Sequence, residues 1–284
     1  MRDVTRQCHT AMSHGEGERR QSGMRVAIVG GTGTLGRQVT EELRARGHEA
    51  RVISRNAPEY RVDLTTGAGL DDAVGGCDVV VDASNNSSKS ASATLVAGTR
   101  RLLAAGQRAG VAHHVCVSVV GCERVPMGYF RVKAEQEAAV TEGPVPWTVV
   151  RATQFHEYLA AMLGAGARYG LLPVPPGLVQ PVASAEVARL IAEVAVAGPR
   201  RGRVEIAGPE VSGFRPLAGS WRRAAGKRAV LVPLPLPGAL GRALRDGALT
   251  SERPDVRGEQ TFRSWAERTL AGPRSAGAPD RARR

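Results

Sequence analysis

The sequence predicts an α/β fold, a doubly wound parallel sheet with a smaller C-terminal lobe. Three observations predict it. Short apolar runs alternate with longer amphipathic segments from Met24 to Arg151, as strands do when crossover helices join them. The first run leads directly into a glycine-spaced loop, Gly30-Gly31-Thr32-Gly33-Thr34-Leu35-Gly36. Hydrophobic residues make up 42% of the 284, enough to cover a sheet on both faces.

Taken in order, residues 1–23 are polar, charged and glycine-bearing without periodicity, which predicts a disordered extension and leaves Met24 as an alternative start. Residues 25–29 read as a buried strand. A helix follows the glycine loop, with Leu35, Val39 and Leu43 on one face and Gly47 as its stop. Strands are expected at 50–54, 78–82, 115–120 and 147–151. Helices are expected at 91–109 and 131–141. Beyond residue 151 the pattern loosens. A helix near 157–169 leads to a Pro-rich loop at 172–177, and Ser184 is placed to cap a helix through Val196. Residues 204–206 read as a returning strand and 230–236 as another. Further helices are expected near 216–225, 239–245 and 260–270.

The formal net charge is +12, which first suggests a nucleic-acid or anionic-membrane surface. The distribution argues otherwise. Only three of the 39 basic residues are lysines (Lys89, Lys133 and Lys227), and the arginines are dispersed along the chain. No specific nucleic acid is expected as a partner. The four cysteines form no CxxC pair and no histidine cluster has zinc spacing, so neither a disulfide framework nor a metal is expected. No apolar run reaches the ~20 residues of a membrane span, and the N-terminus lacks a signal-peptide apolar core. The expectation is a cytoplasmic protein without a membrane partner.

The glycine loop carries the first chemical signal. Gly30 permits the tight turn, Gly33 lets backbone approach a pyrophosphate, and Gly36 allows helix and strand to pack closely. The helix start then offers free N–H groups to phosphate. Thr32, Thr34 and Leu35 belong to the same cradle. This is a Rossmann-type dinucleotide site, with the core at 24–156. A C-terminal lobe covers 157–271, with a strand near 203–207 returning to the sheet, and a disordered basic tail covers 272–284.

Arg55 points to the form of the dinucleotide. A site for NAD(H) usually ends its second strand in Asp or Glu, which binds the ribose 2′-hydroxyl. Here that place reads Ile53-Ser54-Arg55-Asn56. A guanidinium forks well onto a phosphate, so NADP(H) is preferred over NAD(H). The plain alternative is a surface arginine in an arginine-rich chain.

Tyr129 and Lys133 form Y-x-x-x-K on a predicted helix, and i, i+4 spacing places them on one face. An ammonium beside a phenol would lower its pKa from about 10. Such a phenol can exchange a proton with a substrate oxygen during hydride transfer. The plain alternative is a surface pair. Ser118, near the carboxyl end of its strand, lies where open α/β sheets bind ligands.

Together with Val117-Ser118-Val119-Val120-Gly121 and Arg151-Ala152-Thr153-Gln154-Phe155-His156, these motifs resemble the atypical short-chain dehydrogenase/reductases, specifically their NmrA-like, NAD(P)H-binding branch. The resemblance spans about residues 24–270. It implies that Tyr129 is the acid/base, that Lys133 also holds the nicotinamide ribose, and that Ser118 orients a carbonyl. It further implies that Asp63 and Leu64 flank the adenine and that Ala83, Ser84 and Asn85 line the cofactor. Substrate contacts would begin at Gln154, Phe155 and His156, the last being either a substrate ligand or a structural histidine. Arg101 stands where this branch often has Asn, and the interval from Ser118 to Tyr129 is short. The expected function is an NADPH-dependent oxidoreductase acting on a small, apolar carbonyl or quinone-like substrate. The alternatives are a non-catalytic NADP(H) sensor and, less favoured by Arg55, a nucleotide-sugar epimerase.

Overall fold

The computed structural model describes residues 23–270. The extension and tail expected at 1–23 and 272–284 lie outside the described residues, Gly23 apart. Strand and helix alternate in the first half: β1 (Arg25–Val29), α1 (Thr34–Ala45), β2 (Glu49–Ser54), β3 (Tyr60–Arg61), α2 (Leu70–Val74), β4 (Val79–Asp82), α3 (Gly98–Arg108), β5 (His113–Val119), α4 (Gly128–Thr141) and β6 (Trp147–Ala152). The second half adds α5 (His156–Ala167), β7 (Leu171–Val174), β8 (Leu178–Val179), α6 (Ser184–Ala197), β9 (Arg203–Ala207) and β10 (Ser212–Gly213). It ends with α7 (Phe214–Ala224), β11 (Val230–Pro233), α8 (Gly238–Arg245), β12 (Val256–Arg257) and α9 (Phe262–Leu270).

Among the described residues, eight strands form one sheet in the order β12-β9-β6-β5-β4-β1-β2-β3, and each pairing within it is parallel. The chain starts in the middle of this sheet and builds outward both ways, so the order reverses between β1 and β4. At such a switch point the crossovers diverge to opposite faces and leave a crevice beyond the strand carboxyl ends.

Strand periodicity sorts the core into two layers. Val26 and Ile28 face α1 and α6, packing with Val39, Leu43, Val187 and Ile191. Ala27 and Val29 face the opposite way, toward Leu102, Leu103 and Val140 of α3 and α4. A third cluster joins Leu159 and Leu163 of α5 to Trp221, Phe262 and Trp265. The second half therefore contributes two sheet strands, β9 and β12, and a face-covering helix, α6, in addition to its own layer.

A buried ion pair fastens α4 to the sheet. Arg151 of β6 donates from Nε and Nη2 to the two oxygens of Glu137 at 2.9 and 2.7 Å, and Arg203 adds a bond at 3.0 Å. Burial pushes the Glu137 carboxyl up, but the arginine hydrogen bonds outweigh it and hold the group below the ordinary carboxylate value. Removing one partner of such a buried pair costs about 3–5 kcal/mol. Cys77, Cys116 and Cys122 are buried and form no disulfide among the described residues, and burial raises each thiol, so they pack as small apolar groups.

Several local expectations need correction. The helix expected at 91–109 is present over 91–108 but carries a π-helical turn, Ala93–Ala97, directly before α3. Ser184 is the first residue of α6 and not its cap, because its hydroxyl donates to Glu157 at 2.8 Å. The Pro-rich segment begins as strand β7, paired in parallel with β11. His113 and His114 lie within β5 rather than before it. No helix among the described residues is long and apolar enough to cross a membrane.

Candidate active site at the switch point

The strand carboxyl ends open into a cleft of about 600 Å³. The glycine loop forms one wall, and its conformation explains its composition. Gly30 has φ +78°, and a Cβ there would sit 2.8 Å from the carbonyl oxygen of Ala83. The amides of Gly30 and Gly31 both donate to Ile53 O, at 2.9 and 3.3 Å, which ties the loop to the end of β2. A Cβ on Gly36 would lie 2.7 Å from Gly31 Cα, so α1 can approach the loop only without a side chain. At Gly33 an added Cβ would meet only Gly30 O within 4 Å, leaving its outer side open. Helix α1 begins without a side-chain cap and without an acid in its first turn. Its first N–H groups are thus free to hold an anion.

The neighbouring wall comes from the ends of β2 and β3. Thr32 donates to Ser54 Oγ at 3.0 Å, and that oxygen also accepts from Asn56 N at 3.1 Å. Arg55 lines the cleft beside them. Asp63 accepts from the Thr65 amide and hydroxyl, both at 2.8 Å. These bonds, with a smaller contribution from Arg55, hold its carboxyl below the ordinary value. Leu64 lines the cleft and backs α3, where a Cβ on Gly98 would fall 2.8 Å from Leu64 Cβ.

Across the switch point, Ala83, Ser84 and Asn85 follow β4 into the same cleft. The Ser84 amide donates to Asp82 Oδ1 at 3.0 Å, while its buried Oγ has no partner among the described residues. An unpartnered buried hydroxyl in a cleft wall is what a polar ligand would satisfy. With the free helix start and the open side of Gly33, it makes the cleft suited to a dinucleotide.

Tyr129, Lys133 and Ser118 all line this cleft, but they are not wired as expected. The Tyr129 hydroxyl donates to Asn85 Oδ1 at 3.0 Å. The buried Lys133 ammonium donates instead to Val117 O at 2.7 Å and Gln136 Oε1 at 2.6 Å. Gln136 passes the connection to Asp82 and Thr99 at 3.1 and 3.0 Å. Lys133 therefore does not lower the phenol. Burial pushes Tyr129 up to about 12, Tyr158 adds to the rise, and the Asn85 hydrogen bond opposes it. The expectation of a phenol tuned below 10 is thereby corrected. Ser118 is buried, and its Oγ makes no hydrogen bond of good geometry among the described residues, though the hydroxyl helps to hold the Glu137 carboxyl down. It is level in the sheet with Arg151.

Of the three expected substrate residues, only Phe155 lines the cleft. Gln154 spans two loops, donating to Leu249 O at 2.9 Å and accepting from Gln180 N at 3.0 Å. His156 is fully buried, edge-on to Phe262 with centroids 5.6 Å apart and 5.5 Å from Trp265. Burial lowers its pKa. Neither side chain lines the cleft, and both His156 ring nitrogens are buried without a partner among the described residues. Among the lining residues, the sequence reading missed Val62, Asn86, Thr94, Glu157, Tyr158 and Ala161. Asn86 donates to Thr94 at 2.9 Å. The only available signal for Glu157 and Ala161 was their i, i+4 spacing on the helix after β6.

Comparisons with known proteins agree with this geometry. Residues 30–197, more than half of the chain, match the family described as NAD(P)H-binding. A (4-alkanoyl-5-oxo-2,5-dihydrofuran-3-yl)methyl phosphate reductase from Streptomyces griseus subsp. griseus is 28% identical over 274 residues, which cover 89% of this chain and 90% of that protein. A nucleoside-diphosphate-sugar epimerase from Staphylococcus aureus has a TM-score of 0.70 at 19% identity, covering 86% of this chain and 100% of its own. The NADPH-dependent quinone oxidoreductase of Escherichia coli, complexed with NADPH, gives 0.67 at 20% identity, covering 86% and 99%. The triphenylmethane reductase of Citrobacter sp., complexed with NADP(H), gives 0.67 at 18%, covering 87% and 99%. At these identities the solved structures share the fold. The chain belongs to the NAD(P)H-binding family.

Proposed function

We propose that the chain is an NADPH-dependent reductase of a small, largely apolar carbonyl or quinone-like compound. The observation that carries this reading is the continuity of one cleft. It runs from Arg55 and the glycine loop past Ala83 to Tyr129, Lys133 and Phe155. Bound NADPH would supply the hydride. The free amides at the start of α1 hold the pyrophosphate against the side-chain-free glycine loop, and Arg55 meets the 2′-phosphate with no carboxylate in the Ile53-Ser54-Arg55-Asn56 segment to repel it. Hydride addition to a carbonyl leaves an oxyanion, and Tyr129 stands in the cleft as the proton donor. General acid catalysis of this kind contributes about 10²–10⁴-fold. The aromatic rings of Tyr129, Phe155 and Tyr158 suit a flat, apolar substrate. The relatives act in this range of chemistry, one named for an unsaturated lactone phosphate and one for quinones.

The separation of Tyr129 from Lys133 favours a second reading, a cofactor sensor without turnover. One experiment separates the two. NADPH oxidation is followed against quinones, ketones, aldehydes and an unsaturated lactone. Turnover of any of them supports the reductase. Tight NADPH binding with no oxidation across the panel selects the sensor. Cofactor titration tests the preference itself. Arg55→Glu should weaken NADPH binding by about 1–3 kcal/mol, the worth of a charge-assisted bond, and leave NADH binding unharmed. Equal loss for both cofactors would remove Arg55 from the 2′-phosphate site.

A further inference from the structure

Glu157 is a carboxylate in the cleft wall that neither the family motifs nor the reaction outlined above uses. It lies in the first turn of α5, next to Phe155 and one turn before Ala161, and all three line the cleft. One oxygen, Oε1, accepts from the buried Ser184 hydroxyl at 2.8 Å. The other, Oε2, is buried and has no partner among the described residues. A buried carboxylate oxygen without a donor is costly to keep, and Ser184 fixes its orientation at the cleft wall.

Position along the cleft identifies the missing donor. Arg55, Asp63 and Leu64 occupy the end beside β2 and β3, where the adenosine phosphate half belongs. A dinucleotide that starts there and crosses the switch point brings its nicotinamide half to the ends of β4, β5 and β6. That end holds Tyr129, Lys133, Phe155 and Glu157. The nicotinamide half carries one amide N–H₂, and Glu157 is the carboxylate lining this end. We infer that Glu157, oriented by Ser184, accepts a hydrogen bond from the carboxamide N–H₂ of the nicotinamide and so sets the rotation of the ring. Glu157 is thus a cofactor-positioning residue. This rests on the reading that NADP(H) fills the cleft.

The test compares binding of NADPH with binding of its reduced 3-acetylpyridine analogue, which keeps the carbonyl and has no N–H. Titration is done on the full chain and on Glu157→Ala and Glu157→Gln, with melting temperature as the check on folding. The parent should bind NADPH about ten- to a hundredfold more tightly than the analogue, as for a hydrogen bond to a charged group. Glu157→Ala should bind the two alike. Glu157→Gln should show reduced discrimination, and it decides the matter if Glu157→Ala does not fold. A parent that binds both alike, or discrimination that survives in the variants, overturns the inference. Failure of the parent to bind either compound overturns the cofactor reading along with it, a result distinct from binding without discrimination.

Discussion

The two ends of the cleft are built from different materials. At the Gly30–Gly36 end, main chain does the holding: amides donate to Ile53 O, the helix start is uncapped, and side chains are absent where backbone must pass. At the Tyr129 end, side chains do it. Lys133, Gln136, Asp82 and Thr99 form a buried chain of hydrogen bonds, and Tyr129 is held by Asn85. A backbone cradle has one arrangement and is ready before its ligand arrives. A side-chain network can exchange partners. Loading the cleft should therefore leave the first end unchanged and rewire the second, with Lys133 or Tyr129 giving up a present partner.

The largest expected effect tests the side-chain end directly. Tyr129→Phe keeps the ring and removes the proton donor. Turnover should fall by about 10²–10⁴-fold while NADPH affinity stays unchanged, measured by steady-state kinetics beside cofactor titration. Parent-like turnover would show that the phenol is a packing group.

Next in size is the anchor beneath that end. Glu137→Ala leaves Arg151 without its buried partner and frees α4 from β6. Urea denaturation should show a loss of about 3–5 kcal/mol. The pH dependence has a definite sign. The folded Glu137 carboxyl lies below its unfolded value of about 4.3. Its contribution is present above that value and fades as pH falls through the lower folded one. The gap between parent and variant should thus close in acid, and a gap constant down to pH 2 would assign the loss to packing alone.

The backbone end should respond less and differently. Gly36→Ala puts a methyl group against Gly31 Cα, with overpacking of about 1–3 kcal/mol expected. Since the strain falls where α1 meets the loop, NADPH affinity should drop with stability. A stable variant with parent affinity would mean that the cradle is more pliant than its contacts suggest.

The same division decides what could be read in advance. The cradle was legible because glycine spacing between a strand and a helix is local information. The sheet was legible for the same reason, through runs such as Val26-Ala27-Ile28-Val29, whereas β3 and β12, of two residues each, are too short for any period. Tyr129 and Lys133 were visible as residue types, but their partners were not. Gln136 reaches Asp82 across 54 positions of chain, a link that only the folded sheet creates. His156 was placed in the substrate region because it follows β6 closely. Consecutive helix residues point about 100° apart, so with Glu157 in the cleft wall its neighbour turns toward Phe262 and Trp265.

The smallest expected effect is in some ways the most informative, because it reports the wiring without a mutation. With the phenol pushed up to about 12 and Lys133 engaged elsewhere, Tyr129 stays protonated across the working range. At pH 10 only about 1% of such a group is ionised, so kcat/KM for NADPH should vary less than about twofold from pH 7 to 10 on its account. If binding of NADPH draws the Lys133 ammonium from Val117 toward the phenol, the ionised form is favoured and the pKa falls. An alkaline limb in kcat would then appear between about pH 8 and 10. Because kcat reports the loaded enzyme and kcat/KM for NADPH the free one, comparing the two profiles separates the cases. A flat kcat/KM beside a falling kcat marks rewiring on loading, and two flat profiles show a fixed network. A limb in both at the same pH would contradict the separation of Tyr129 and Lys133 in the free protein. The Tyr129→Phe variant, through its residual rate, identifies the group responsible, since its profile must lose the limb.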